Sequence, residues 1–267
     1  MSGASSPWRL DGKVALVSGA NSGIGEAAAL LLADAGAAIG MLGRDVAELE
    51  QVARRITERL GQAIVLEADV SHPHEMQHSI DLLAKRFGRL DIVFANAGIN
   101  GTWASLEELT PEEWDATLDV NLKGAFLTLK YAVPLLKRSG GSVIFNASIN
   151  GTRVFSNTGA TAYACSKAGV VALTKMAALE LARDRIRVNV ICPGAIDTPI
   201  FHKTDERNLD DIRQPVEFPQ GEIPLTDGSP GHVSDVANLV TFLASDAARH
   251  ITGTEIWIDG GQSLLKG

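Results

Sequence analysis

The run Val14-Ala15-Leu16-Val17-Ser18-Gly19-Ala20-Asn21-Ser22-Gly23-Ile24-Gly25 decides the fold. Val14–Ser18 shows no polar alternation, which suits a strand buried on both faces. The glycines Gly19, Gly23 and Gly25 then allow a tight turn, and the apolar stretch Glu26–Ala35 continues with helical period. Strand, glycine turn and helix in direct succession form the first half of a β-α-β unit. Such a turn presents unpaired backbone N–H groups and the positive end of a helix dipole, with no side chain obstructing approach. A pyrophosphate fits it, although glycines at this spacing also suit a plain tight turn.

Outward from this run, similar apolar segments recur at Ala38–Leu42, Ala63–Glu67, Leu90–Ala95, Ser142–Ala147, Arg187–Cys192 and Glu255–Ile258, separated by longer stretches of helical period. The pattern predicts an α/β fold: a Rossmann-like doubly wound parallel sheet of about seven strands, with helices on both faces. Helix ends are signalled by Asp45 with Glu48, by Thr110-Pro111, and by Gly36, Gly61 and Gly88. No Pro/Gly/Ser-rich linker divides the chain, so residues 1–267 read as one domain with a polar tail over 1–10. Only 199–231 breaks the rhythm. It is polar, contains Pro215, Pro219, Pro224 and Pro230, and is long for a loop, which predicts a substrate lid. Its Phe201, His202 and Phe218 name no particular substrate.

Composition excludes several classes. Thirty-two acidic against 24 basic residues give a net charge of −8, and scattered basic residues leave no nucleic-acid footprint. No uninterrupted apolar stretch reaches the roughly 18 residues of a membrane span, and Met1–Leu10 lacks a signal core. Cys165 and Cys192 lie in apolar segments without metal-ligand spacing, which predicts a reducing, cytoplasmic setting and a packing role for Cys165. His72, His74 and His78 cluster at a helix start. His74 and His78 have a zinc-compatible spacing, but no further ligand is evident, so no metal is expected. Trp103, Trp114 and Trp257 read as core or interface residues, and Tyr131, in the apolar helix ahead of Pro134, as core packing.

Further motifs follow in order: Asp69-Val70, Asn96-Ala97-Gly98, Asn121, Ser148, Tyr163-x-x-x-Lys167, Pro193-Gly194, Thr198 and Asp259-Gly260-Gly261. With the glycine spacing of the turn, they make the chain resemble the short-chain dehydrogenase/reductase family from Gly12 to Gly261. Ser18 stands where that family usually has Thr, which keeps the hydroxyl. Ala95 stands where it usually has Asn, which predicts a weakened local hydrogen bond. The resemblance implies a nicotinamide cofactor held by Gly19, Asn21, Ser22, Gly23, Ile24 and Gly25 at the turn, and by Asp69 and Val70 at the adenine. Asn96, Ala97 and Gly98 would line the cleft, Tyr163 and Lys167 would contact the cofactor, and Pro193, Gly194, Ile196 and Thr198 would bind the carboxamide end. It also implies a homotetramer or homodimer built on apolar helices such as Trp114–Lys137 and Tyr163–Ala182.

The second strand ends in Gly43 and Arg44, without the carboxylate that would bond a free ribose 2′-hydroxyl. A guanidinium suits a 2′-phosphate, so NADP(H) is favoured. NAD(H) stays open if Asp45 takes the ribose or Arg44 stacks on the adenine, although Asp45 has a competing role as helix cap.

Tyr163 and Lys167, four apart at the start of a long helix, project from one face. Reducing a carbonyl by hydride requires a proton, and a phenol with a pKa of about 10 exchanges protons poorly at neutral pH. A neighbouring ammonium favours the phenolate, which makes Tyr163 the general acid/base tuned by Lys167. Ser148, at the carboxyl end of its strand, would hold the substrate oxygen with Tyr163. Fifteen positions separate Ser148 from Tyr163, which enlarges the loop Asn150–Thr161 beside the pocket. By resemblance, the Asn121 amide holds a water connecting Lys167 to solvent; a local cap or kink would equally account for an Asn inside a helix. The implied activity is oxidoreduction of a small alcohol or carbonyl compound. A non-catalytic cofactor sensor is the alternative, and it has no need of Ser148, Tyr163, Lys167 and Asn121 together.

Overall fold

The computed structural model describes residues 8–200, 204–213 and 222–266. The chain runs β1 (Val14–Ser18), α1 (Gly23–Asp34), β2 (Ala38–Gly43), α2 (Val46–Glu58), β3 (Ala63–Glu67), α3 (Pro73–Phe87) and β4 (Ile92–Ala95). Then come β5 (Thr102–Trp103), α4 (Pro111–Leu118), α5 (Gly124–Leu136), β6 (Gly141–Asn146), α6 (Thr161–Leu181) and β7 (Ile186–Pro193). It closes with β8 (Asp205–Glu206), α7 (Val233–Ala244), β9 (Glu255–Ile258) and α8 (Gln262–Lys266). Seven strands form one parallel sheet in the order β3-β2-β1-β4-β6-β7-β9.

Alternation along β1 shows why both faces must be covered. Val14 and Leu16 enter one apolar core with Met76, Ile80 and Leu83 of α3 and residues of α5 and α6. Ala15 and Val17 enter the other, with Ala28, Ala29 and Leu32 of α1 and the inner faces of α2 and α7. Strand order reverses between β1 and β4, and a crevice outside the carboxyl ends of the strands is expected there. At the opposite end Asp91, almost fully buried, accepts from Val14 N–H at 2.9 Å and pairs with Arg89 at 2.6 Å.

Two expectations need revision. The stretch expected as one helix, Trp114–Lys137, is α4 and α5 joined by a π-helical turn, Asp119–Lys123. The wider turn carries Asn121 inward to bond Ile99 (2.8 Å from Ile99 N–H, 2.9 Å to its carbonyl). Within 199–231 the described part is not structureless: β8 pairs with β5, and Arg207 N–H donates to the Trp103 carbonyl at 2.9 Å. Arg207 also pairs with Glu113 and donates to the Glu108 carbonyl at 2.9 Å, and Asn100 Nδ2 donates to Thr204 Oγ1 at 2.7 Å. Phe201, His202, Pro215, Phe218 and Pro219 lie outside the described residues. Among the described residues, no helix is long and apolar enough to cross a membrane.

Candidate active site

A cleft of about 1100 Å³ opens along the carboxyl edge of the sheet. Its floor is the turn after β1. Gly19 takes φ +66°, a left-handed conformation that favours glycine, and its N–H is tied to the Leu42 carbonyl at 2.8 Å. Ser22 caps α1 in position only, making no side-chain bond to the helix, which leaves the N–H groups of the first turn for an anion. Gly19, Asn21, Ser22, Gly23 and Ile24 line the cleft. Gly25 does not. A Cβ there would lie 2.0 Å from the Gly19 carbonyl oxygen, so this glycine lets the helix close against the turn.

At the end beyond β2 and β3, Arg44 is largely exposed and its Nη1 stands 3.5 Å from Asp69 Oδ2. Burial pushes the Asp69 carboxyl up, but hydrogen bonds from Ser71, with Arg44 and His72 nearby, outweigh this and hold it below its ordinary value. Asp45 accepts from Glu48 N–H at 3.0 Å and is the cap of α2. Val70, Asn96, Ala97 and Gly98 continue the wall. Ser18 Oγ accepts from the N–H groups of Asn96 (3.0 Å) and Ala97 (3.1 Å), so the hydroxyl kept in place of threonine's has a use. Ala95 is buried, while Asn96 Nδ2 donates to the carbonyls of Ser18 (3.1 Å) and Gly19 (3.3 Å).

Ser148, Tyr163 and Lys167 meet in the same cleft. Lys167 is buried, and its Nζ donates to the Asn146 carbonyl at 2.9 Å and sits 5.5 Å from the Tyr163 ring centroid. Burial lowers its pKa to about 8. Burial raises the Tyr163 phenol above its ordinary value, and hydrogen bonding to Ser148 opposes this only in part. The direction expected from Lys167, a lowered phenol, is therefore not the one found: burial sets it, opposed only by the hydrogen bond to Ser148. Asn121 is buried but does not line the cleft; its two amide donors go to the Ile99 carbonyl and to Ser166 Oγ at 3.0 Å. A Cβ on Gly98 would lie 3.2 Å from Asn121 Oδ1 and 3.3 Å from Lys167 Nζ, so the two groups flank one small space.

Pro193, Gly194, Ile196 and Thr198 line the far wall, with Thr198 against Gly23 across the cleft. The segment is pinned: Asp197 N–H donates to the Gly231 carbonyl at 3.0 Å, and Ala195 N–H to Gln262 Oε1 at 2.8 Å. Sequence reading missed Gln262, Asn146 and Asn150. Each is a polar residue ending or following an apolar strand, the one signal that could have found them. Trp103, expected in the core or an interface, is a wall of the cleft, with its Nε1–H donating to the Asn100 carbonyl at 3.3 Å. Trp114 is half-buried on α4, and Trp257 lies under the Arg153 guanidinium, 3.6 Å from the ring centroid. Tyr131 packs at the edge of the core. Cys165, expected to pack, is exposed; Cys192 is buried, its thiol pushed up to about 12 chiefly by burial. His72 pairs with Glu75 at 3.0 Å, and among the described residues no group of three or more metal-ligating side chains converges.

Residues 19–263 match the profile of a family described as enoyl-(acyl carrier protein) reductase. The 3-oxoacyl-(acyl-carrier-protein) reductase FabG of Thermotoga maritima is 37% identical over 256 residues, covering 95% of this chain and 98% of that protein. Cyclohexanol dehydrogenase of an Acinetobacter species is 36% identical over 253 residues, covering 94% and 95%. The crystal structure of a 3-ketoacyl-ACP reductase from Sinorhizobium meliloti 1021 superimposes with a TM-score of 0.91 at 53% identity, covering 94% of this chain and 99% of that one.

Proposed function

The chain belongs to the short-chain dehydrogenase/reductase family, and from that premise we propose that it interconverts an alcohol with a ketone or aldehyde, with NADP(H) as preferred coenzyme. It is a nicotinamide-dependent oxidoreductase. The observation that carries the finer reading is the convergence of Ser148, Tyr163 and Lys167 in the cleft that begins at the uncapped N-terminus of α1. Coenzyme would lie from Arg44 and Asp69, over the glycine turn, to Ile196 and Thr198. When bound, it supplies or takes the hydride.

The chain's own residues then manage the proton. Ser148 Oγ bonds the substrate oxygen. Tyr163, whose phenol burial holds above its ordinary value, gives its proton to that oxygen as reduction makes it an alkoxide and becomes a phenolate; in oxidation the phenolate form takes the proton of the alcohol. Lys167, anchored on the Asn146 carbonyl, supplies the positive charge that steadies the phenolate. Asn121 Oδ1, which accepts from Ile99 N–H, keeps a second lone pair that would hold a water leading from Lys167 toward solvent. The four-residue spacing of Tyr163 and Lys167, and relatives named as oxoacyl reductase and cyclohexanol dehydrogenase, support C=O/CH–OH chemistry over reduction of a carbon–carbon double bond. A non-catalytic sensor has no use for a buried, desolvated lysine beside a phenol.

Tyr163→Phe tests the reading. Turnover, followed by nicotinamide absorbance, should fall roughly 10²- to 10⁴-fold, the range for loss of a general acid, while coenzyme affinity by fluorescence titration stays nearly unchanged. Substantial residual turnover removes Tyr163 from its role.

A further inference from the structure

Asp45-x-x-Glu48 and Thr110-x-x-Glu113 both have the form of a capping box, yet only one of the two closes. In α4 the Glu113 carboxylate turns back to accept from Thr110 N–H at 2.9 Å. In α2 the Asp45 side chain accepts from Glu48 N–H, but the Glu48 carboxylate does not return to the cap. It turns into the cleft instead, where its Oε2 accepts from Asn21 Nδ2 at 2.7 Å. Its Oε1 accepts no hydrogen bond among the described residues.

Asn21 belongs to the glycine turn, and its amide reaches two places at once. Its Nδ2 holds Glu48, while its Oδ1 stands 3.4 Å from where a Cβ on Gly43 would lie. Gly43 ends β2, the position from which an acidic side chain would bond a free ribose 2′-hydroxyl and repel a 2′-phosphate. Glycine supplies no side chain there, and one amide away α2 delivers a carboxylate. Among the described residues lining this end of the cleft, Arg44 contributes a guanidinium, and Asp45, Glu48 and Asp69 contribute carboxylates. Asp45 is fixed on its helix cap and Asp69 on Ser71, at 2.9 Å from its N–H and 2.7 Å from its hydroxyl. Glu48 is fixed on the glycine turn itself.

We propose that Glu48 is a coenzyme-selecting residue. Its carboxylate, held at the adenosine-ribose end by Asn21, accepts from ribose hydroxyls and opposes a 2′-phosphate, which narrows the preference that Arg44 sets and lets NAD(H) compete with NADP(H). This rests on the coenzyme placement and NADP(H) preference proposed above and adds a second determinant to them. Removing the charge therefore widens discrimination by strengthening the binding of one coenzyme, whereas losing a mere support of the turn would weaken both.

Glu48→Gln keeps the length of the side chain and an acceptor for Asn21 Nδ2, and removes the charge. Dissociation constants of NADPH and NADH are read by fluorescence titration of the purified full chain without substrate, and the quotient Kd(NADH)/Kd(NADPH) is compared with that of the wild type. In Glu48→Gln it should rise at least roughly fivefold, with NADPH bound more tightly than by the wild type. Glu48→Ala should move it the same way and takes the place of Glu48→Gln should that variant fail to fold. Glu50→Gln, at an exposed position on the same helix outside the cleft, should leave it unchanged. A quotient that does not rise, NADPH binding that does not tighten, or an equal rise in Glu50→Gln overturns the role of Glu48 and leaves the coenzyme placement standing. A wild-type quotient below one overturns the NADP(H) preference, and the change between variants then still decides for or against Glu48. Titrations in which neither coenzyme binds overturn both.

Discussion

Lys167 is held in the fold at a cost. Its pKa falls from 10.5 to about 8 because the ammonium is buried, so at neutral pH the folded chain carries a charge that water would solvate better. Below pH 8 both folded and unfolded chains hold the proton and the penalty is complete. Between pH 8 and 10.5 the unfolded chain holds the extra proton, so this residue's contribution turns toward folding as pH rises. The shift corresponds to about 3 kcal/mol. Lys167→Met, which keeps the stem and removes the charge, should therefore melt at or above the wild-type temperature at pH 7 by calorimetry, while turnover falls roughly 100-fold or more. A melting temperature several degrees lower would show that the bond to the Asn146 carbonyl outweighs the desolvation. Gly43 allows a second test at this scale. A Cβ there meets only ordinary contacts, 3.4 Å from Asn21 Oδ1 and 3.5 Å from Leu49 Cδ1, so Gly43→Asp should fold. Its carboxylate would repel a ribose 2′-phosphate and bond a 2′-hydroxyl. The ratio of NADPH to NADH dissociation constants, read by fluorescence titration, should rise at least roughly tenfold. An unchanged ratio would mean that Arg44 does not face the phosphate.

At the scale of elements, what could be read in the sequence was whatever has a local cause. β1, β3 and β9 fall where uninterrupted apolar runs place them, and Asp45 and Thr110 cap the helices they precede. The π-helical turn at Asp119–Lys123 could not be read, because apolar residues on either side keep a near-helical period and the bonds of Asn121 to Ile99 that accompany the wider turn join residues distant in the sequence. The pairing of β5 with β8 was equally hidden: two residues on each strand, distant along the chain, carry no pattern of their own. For the same reason Trp103 was misplaced, since its position in the cleft is set by that distant partner. Of the site, the turn and the Tyr-Ser-Lys group were legible as motifs, whereas Asn150 and Gln262 needed the tertiary structure to bring them near. Arg207 is the fastening of the β5–β8 wall, bonding the Glu108 carbonyl and pairing with Glu113 of α4. Arg207→Ala leaves the proton-transfer group untouched and frees the wall of the cleft at Trp103 and Glu206. KM for the substrate should rise roughly five- to fiftyfold, with kcat changing less than about threefold. A fall in kcat at constant KM would place Arg207 in the chemistry.

At the scale of the whole molecule, burial and exposure do not fully balance. Phe126 on α5 is 45% exposed, and on α6 Met176 is 75% and Leu179 84% exposed, although both helices pack their other faces into the core. Single exposed apolar residues are ordinary, but large ones repeated on two helices of one layer are what self-association covers. These are the helices on which the sequence suggested a dimer or tetramer, and solution measurement tests that expectation. The same helices carry the chemistry: α6 begins at Thr161 and bears Tyr163 and Lys167, and α5 follows the turn that holds Asn121. Closing a second copy over Met176 and Leu179 would stiffen α6 along its length and so steady the proton-transfer pair at its start. Met176→Glu combined with Leu179→Glu places two charges on that face without touching the cleft. By size-exclusion chromatography with light scattering, the wild type should elute as a dimer or larger and the double variant as a monomer, with a melting temperature several degrees lower. A wild type that is monomeric at micromolar concentration removes the proposal. A double variant that keeps its assembly moves the interface to another face of the sheet.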